Sequence, residues 1–404
     1  MPAAVPRADK GTVRLVTRSE NPRPVKFPFA SGPYGSTTLE YDKYRLLAPV
    51  CRVMVPSGLE VWLVTRYADV CTVFRDPRFS RQEAVRIGAA QVKGSGFELN
   101  PDLIQNTDGK RHSHLRAAFS SYYSIEHSLH WAGIIEREAR EVLDSLAADC
   151  FFDVRSDFFE PVARRSAEKL FGFRTGKRTG IMKATFDKKA MFDLQDHVSS
   201  ILQHGGNALG SSYLQGVAAT SRSGLLSQSE LLTNLAFFIS LTFEAVAAPF
   251  LGGIFAMLRD LDQWQMCLKD RRLLPNAVNE MLRCYPNGDG QFLRIAMDKA
   301  ELSNVTIRRG DAVLAPVPAA NVDPTVFSDP RRFDVRRSNW KKHIAFGIGP
   351  HHCLGSRLVQ VWMETALSAL LDRFPSLRLA VAPAAITYRP IPLVNIMERL
   401  PATC

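Results

Sequence analysis

Phe346-Gly347-Ile348-Gly349-Pro350-His351-His352-Cys353-Leu354-Gly355 is a loop built around one sulfur, and a helix-forming run, Ser356-Arg357-Leu358-Val359-Gln360-Val361-Trp362, follows it directly. Glycine accepts backbone angles closed to other residues, so the chain can wrap tightly around Cys353. The helix that follows aims its free amides and the positive end of its dipole back at that sulfur, which favours a thiolate. A thiolate held this way is a good axial ligand for haem iron, because it pushes electron density onto the metal. The competing reading is a buried cysteine beside a glycine turn, and Cys353 alone does not separate the two.

The spacing does. The stretch matches, at every fixed position, the Phe-x-x-Gly-x-(His/Arg)-x-Cys-x-Gly signature of the cytochrome P450 family, and the whole chain resembles those haem-thiolate monooxygenases from about Val53 to its end. The resemblance implies the triangular haem-thiolate fold, haem b as cofactor, Cys353 as metal ligand, and Phe346 and Gly355 as part of the cofactor loop. Phe346 then covers the sulfur, where an apolar surface tunes the iron potential.

Length and composition agree. The chain has 404 residues, 46% hydrophobic, enough for a sizeable core. The most apolar stretch, Leu231 to Leu258, is broken by Asn234, Glu244 and Pro249 and reads as a buried helix rather than a membrane span. Residues 1–30 read as a flexible basic lead-in without a secretory apolar core, and 31–404 as one domain. These features predict a cytoplasmic, membrane-free protein. The seven cysteines are scattered and odd in number, which argues against a disulfide framework or a zinc site. The net charge of +11 comes from dispersed Lys and Arg. That favours an acidic protein partner over nucleic acid.

Pattern alone predicts a mainly α chain with a minor β region (α+β). Val53 to Thr65 reads as two short strands about a Ser-Gly turn, and Tyr67 to Phe74 as a helix. Residues 83–107 read as loop, and helical periodicity dominates from His112 to about Arg283. Short strands at Val305 to Ile307 and Ala312 to Pro316 precede the cysteine loop, and a Pro-rich, strand-like tail ends the chain.

Several constellations fit a haem site. Glu280 and Arg283 lie three apart on one helix face, where they can pair. An exposed pair of this kind adds only about 0.2–0.5 kcal/mol. The resemblance instead implies a buried Glu-x-x-Arg lock, completed by Arg331, Arg332 or Arg336. His112 and Arg116 lie four apart on one helix face. By themselves they read as a solvated basic face; the resemblance makes them donors to the haem propionates. It extends that role to Arg294, His343 and His351. Asn321-Val322-Asp323-Pro324 resembles the family's Asn-Arg-Asp-Pro, with Val322 in place of the usual Arg.

The chain departs from the family in Leu235 to Ala248. The usual Ala-Gly-x-(Asp/Glu)-Thr-Thr reads here as Leu241-Thr242-Phe243-Glu244-Ala245-Val246. Glu244 falls on the acidic position, and Ala245 stands where a threonine hydroxyl assists proton delivery. Thr242 and Ser240 are the nearest hydroxyls. A lone Glu in an apolar helix is costly unless it has a partner, which favours a catalytic or water-linked role.

Three function classes follow. The first is an oxygenase supplied by a ferredoxin or flavodoxin-type donor and its reductase. It oxidises a mid-sized natural-product scaffold, free or carrier-bound. A peroxygenase is its variant, weakened because the distal helix has no Arg for a substrate carboxylate. The second is a non-catalytic haem-thiolate ligand binder. The third, a nucleic-acid binder, rests on charge alone. Substrate choice is expected from residues 82–106, with Phe97, Leu99 and Leu103, and from Ala190 to Gly216, with Met191, Phe192, Leu194 and His197.

Overall fold

The computed structural model describes residues 24–89, 99–146, 151–172, 188–203, 216–217, 219, 224–287, 293–391 and 394–404, with the side chains of residues 121, 125, 126, 188, 242–244, 389–391 and 394–396 left aside. Helices dominate it. The alternation of Val53, Val61 and Leu63 builds the expected hairpin: Val50–Met54 pairs antiparallel with Glu60–Val64. Gly58 takes φ 81° at its tip, and the N–H of Val55 reaches the Leu59 carbonyl at 3.0 Å. On the hairpin's far side Ala312–Leu314 pairs parallel with Glu60–Val64 and antiparallel with Arg294–Ala296, and Phe79–Ser80 closes that edge. Arg294 is thereby placed on an inner strand, opposite Val313.

The expected lead-in ends sooner than residue 30. Val25–Lys26 pairs parallel with Val53–Met54 and Phe27 is buried, because an apolar residue beside an open strand gains both ladder bonds and cover. The rest of that segment, 1–23, lies outside the described residues. The stretch read as dominated by helix is interrupted by the strand Phe151–Asp153, which pairs with Pro401–Thr403 at the far end of the chain.

The central element is the helix Gln228–Arg259, called the distal helix below. Ser227 and Glu230 form a reciprocal capping box at its start. It is long and apolar enough to cross a membrane by composition, but 80% of its apolar window is buried inside the protein. Phe250 meets the Trp362 ring at 5.3 Å, and Phe159 packs against both. Each large apolar side chain buried this way contributes about 1.5–3 kcal/mol. Two glycines let the distal helix press on Leu274–Cys284: a Cβ on Gly252 would lie 2.5 Å from the Tyr285 ring, and one on Gly253 would collide with Met281.

One cysteine expectation is corrected. Cys404 is disulfide-bonded, whereas Cys51, Cys71, Cys267, Cys284 and Cys353 are free thiols.

Candidate active site

The cysteine loop is shaped as its glycines require. Gly347 and Gly349 take φ 69° and 81°. A Cβ on Gly349 would sit 2.9 Å from the Phe74 carbonyl, so both conformation and space exclude other residues. The N–H of Cys353 donates to the Phe346 carbonyl at 2.8 Å, and Ser356–Arg373 follows as a helix. Burial pushes the Cys353 thiol's pKa up. The Gly355 N–H and the Arg116 charge oppose this without reversing it. The helix therefore does not make a thiolate unaided. A bound metal cation would, since a coordinating thiol gives up its proton.

Basic side chains gather beside this loop. The helix Gly109–Ser120 carries buried His112, whose ring centroid lies 4.2 Å from that of His351, and Arg116, whose Nη1 donates to the His352 carbonyl at 2.7 Å. Asp108 orients the group: it lies 3.0 Å from His351 Nε2 and accepts from Ser80 Oγ at 2.7 Å and from the Gln82 N–H at 2.9 Å. Burial pushes the Asp108 pKa up, but these hydrogen bonds override it and hold the carboxyl well below the usual range. Burial and the neighbouring His351, Arg116 and Arg294 push His112 down to about 4. Burial lowers Arg294 to about 10, with Asp108 offsetting part of it. Arg294 spends Nη1 on the Phe79 carbonyl at 3.3 Å, and its Nε is buried with no hydrogen-bond partner among the described residues.

A family model described as Cytochrome P450 matches residues 259–382. The 20-oxo-5-O-mycaminosyltylactone 23-monooxygenase of Streptomyces fradiae is 30% identical over 368 residues, 88% of this chain and 87% of that protein. The chain belongs to the cytochrome P450 family. The nocardicin C N-oxygenase of Nocardia uniformis subsp. tsuyamanensis is 29% identical, covering 90% of this chain and 94% of its own. The crystal structure of HinD with NMFT and NO superposes with a TM-score of 0.85 at 30% identity, over 95% of this chain and 100% of that one. As a cytochrome P450 the protein is an oxygenase whose cofactor is haem with a cysteine thiolate axial ligand.

The residues present fit that group. The Arg116 guanidinium and a buried Arg294 with an unspent Nε, beside the His112 and His351 rings whose charged forms burial disfavours, suit an anion such as a haem propionate, which would offset that penalty. His112, Arg116, Arg294 and His351 are brought together here; His343, beside Phe346, is turned to other partners. Its Nδ1 accepts the Ala345 N–H at 3.2 Å and its Nε2 lies 2.9 Å from Asn279 Oδ1, so both ring nitrogens are spent within the protein. Burial, with Arg283 and His352 nearby, lowers it to about 4. Phe346 is half-buried, its ring 6.3 Å from His352.

The buried lock is real, but its third member is Arg337 rather than Arg331, Arg332 or Arg336. Arg337 Nε meets Glu280 at 2.9 and 3.1 Å, beside the Arg283–Glu280 pair at 2.7 Å. Asp334 accepts the Arg336 N–H at its side chain and the Arg337 N–H at its carbonyl, a turn that sends Arg336 outward and Arg337 in. Arg331 is spent on Asp42, and Arg332 contributes its carbonyl to both buried arginines. In the Asn321-Val322-Asp323 segment, Asn321 accepts the Ile344 N–H at 2.8 Å and Asp323 accepts the Tyr67 N–H at 2.8 Å. The segment holds its place without the usual arginine.

On the distal helix Ser240 is buried and its hydroxyl donates to the Phe237 carbonyl at 2.8 Å, which turns it back along its own helix. The side chains of Thr242 and Glu244 lie outside those described. Of the residues expected to read the substrate, Phe97 lies outside the described residues, and Leu103, Met191 and Leu194 are core, at 0%, 2% and 0% exposure. Phe192, on the other face of the same helix, is exposed.

Proposed function

We propose that this cytochrome P450 is a tailoring oxygenase that inserts oxygen into, or otherwise oxidises, a mid-sized natural-product molecule, free or carrier-bound. The observation that carries the reading is the convergence of His112, Arg116, His351 and Arg294 beside the Cys353 loop. The names of the two relatives, which act on 20-oxo-5-O-mycaminosyltylactone and nocardicin C, support the substrate class. Bound haem supplies dioxygen activation with electrons from a partner. Around it, Cys353 ligates the iron, the four basic side chains hold the propionates, and Gly355 donates its N–H to the sulfur. The apolar helix is spent on the core, which supports a cytoplasmic, membrane-free enzyme.

Ala245 has no proton to give, so proton delivery falls to Glu244 through water, to Thr242, or to the substrate itself. A positioned proton donor contributes about 10²–10⁴-fold to such a step. Glu244→Ala is expected to lower product formed per reductant consumed, with the balance appearing as peroxide, while Ala245→Thr leaves the true substrate's oxidation no better. Full coupling in Glu244→Ala with improved coupling in Ala245→Thr would reduce the distal site to an impaired version of the usual one.

The electron donor is proposed to be an acidic ferredoxin or flavodoxin docking on the cysteine side, where Lys341, Lys342 and Arg357 are exposed. Arg111 is paired with Glu230 at the start of the distal helix and is left out of this surface. Electron-transfer rates should fall roughly tenfold from low to high salt, as steered association does. Rates flat in ionic strength would exclude the steering.

A further inference from the structure

We infer that Asn287 is a positioning residue for the distal helix: its side-chain amide replaces the backbone N–H that Pro249 removes, and so fixes the turn at Ala245. In an α-helix the carbonyl of residue 245 accepts the N–H of residue 249. Residue 249 is a proline inside Gln228–Arg259. It has no N–H, and its ring crowds the carbonyl four residues earlier, which must tilt out of the ladder. The Ala245 carbonyl is thus without its helical partner in the middle of a largely buried helix. Asn287 Nδ2 donates to that carbonyl.

The arrangement is supported from below. Asn287 lies just past the end of Leu274–Cys284, the helix carrying Glu280 and Arg283. Gly252 and Gly253 bring the distal helix against Tyr285 and Met281 of the same segment, at a distance no side chain would allow. The break in one helix and the amide that fills it are therefore held by the same close packing. In place of a threonine hydroxyl, this chain has a proline-freed carbonyl pinned by an asparagine from the neighbouring segment. This inference rests on the proposed reading that the Ala245 turn faces the iron.

A double-mutant cycle on the haem-loaded protein tests it, using Asn287→Asp (same size, no N–H), Pro249→Ala and the double variant. Alone, Asn287→Asp should lower the melting temperature by about 2 °C, as loss of one buried hydrogen bond does. Pro249→Ala restores the N–H of residue 249, so in that background the same substitution should cost nothing further. The C–O stretch of the ferrous carbon monoxide adduct reads polarity on the distal side. It should shift in Asn287→Asp and return in the double variant, and peroxide release per reductant should rise several-fold and recover in parallel. Strictly additive melting shifts would overturn the clasp. A non-additive cycle with an unmoved stretch would overturn the positioning role. A wild-type adduct lacking the thiolate-type Soret band would overturn the proposed function instead, leaving the melting cycle still able to judge the clasp.

Discussion

Cys353→Ala should abolish the strongly red-shifted Soret band expected of the wild-type protein when it is reduced under carbon monoxide. The band requires a thiolate opposite the bound gas, and Cys353 is the cysteine framed by Gly347, Gly349 and Gly355 beside the basic cluster. The other free thiols among the described residues sit inside regular elements: Cys51 in Val50–Met54, Cys71 in Tyr67–Arg75, Cys267 in Leu261–Lys269 and Cys284 at the end of Leu274–Cys284. His112→Ala and Arg116→Ala should behave differently. Each removes one charge-assisted donor, worth about 1.5–3 kcal/mol, so haem affinity should drop roughly 10–100-fold while the band stays in place. His343→Ala should leave haem affinity near wild type, because both of its ring nitrogens are already spent on Ala345 and Asn279. A histidine-type spectrum in the wild-type protein, or a red-shifted band surviving in Cys353→Ala, would remove the central assignment.

The contrast between His351 and His343 shows what a sequence can carry. The cysteine loop was readable because its demands are local: positive φ at Gly347 and Gly349, and a helix opening at Ser356, are written in adjacent residues. That His112 and Arg116 share one helix was readable for the same reason, since they lie one turn apart. His343 failed because its tautomer and direction are set by Asn279, 64 residues away. Arg337 was missed next to three named arginines because a single turn at Asp334 decides which of them faces in. The strand Phe151–Asp153 was invisible for want of its partner, which begins at Pro401. The substrate segments carry a different ambiguity. Apolar residues such as Leu103 and Met191 read equally as pocket or as core, and only packing separates the two.

The Glu280 cluster should yield the largest stability effect in the molecule. Glu280, Arg283 and Arg337 are all buried, with one carboxylate shared between two guanidinium groups. The remaining guanidinium donors are spent on carbonyls: Arg283 on Asn321 and Pro330, Arg337 on Ser328 and Asp329, and both on Arg332. Glu280→Gln keeps the shape and removes the charge, which strands two buried cations. Breaking one buried pair costs about 3–5 kcal/mol, and here a single substitution breaks two. That is a large share of the roughly 5–15 kcal/mol by which a folded protein is stable. Glu280→Gln should therefore accumulate poorly and hold little haem, and added salt should not mimic the loss, because buried charges are weakly screened. Arg337→Ala should come close to it, since the loop from Ser328 to Arg337 loses its anchor as well. Arg336→Ala, exposed one residue earlier, should change stability by less than about 0.5 kcal/mol. The comparison of these two neighbours decides the assignment. Equal melting temperatures for Arg336→Ala and Arg337→Ala would mean that the inward turn at Asp334 does not govern the cluster.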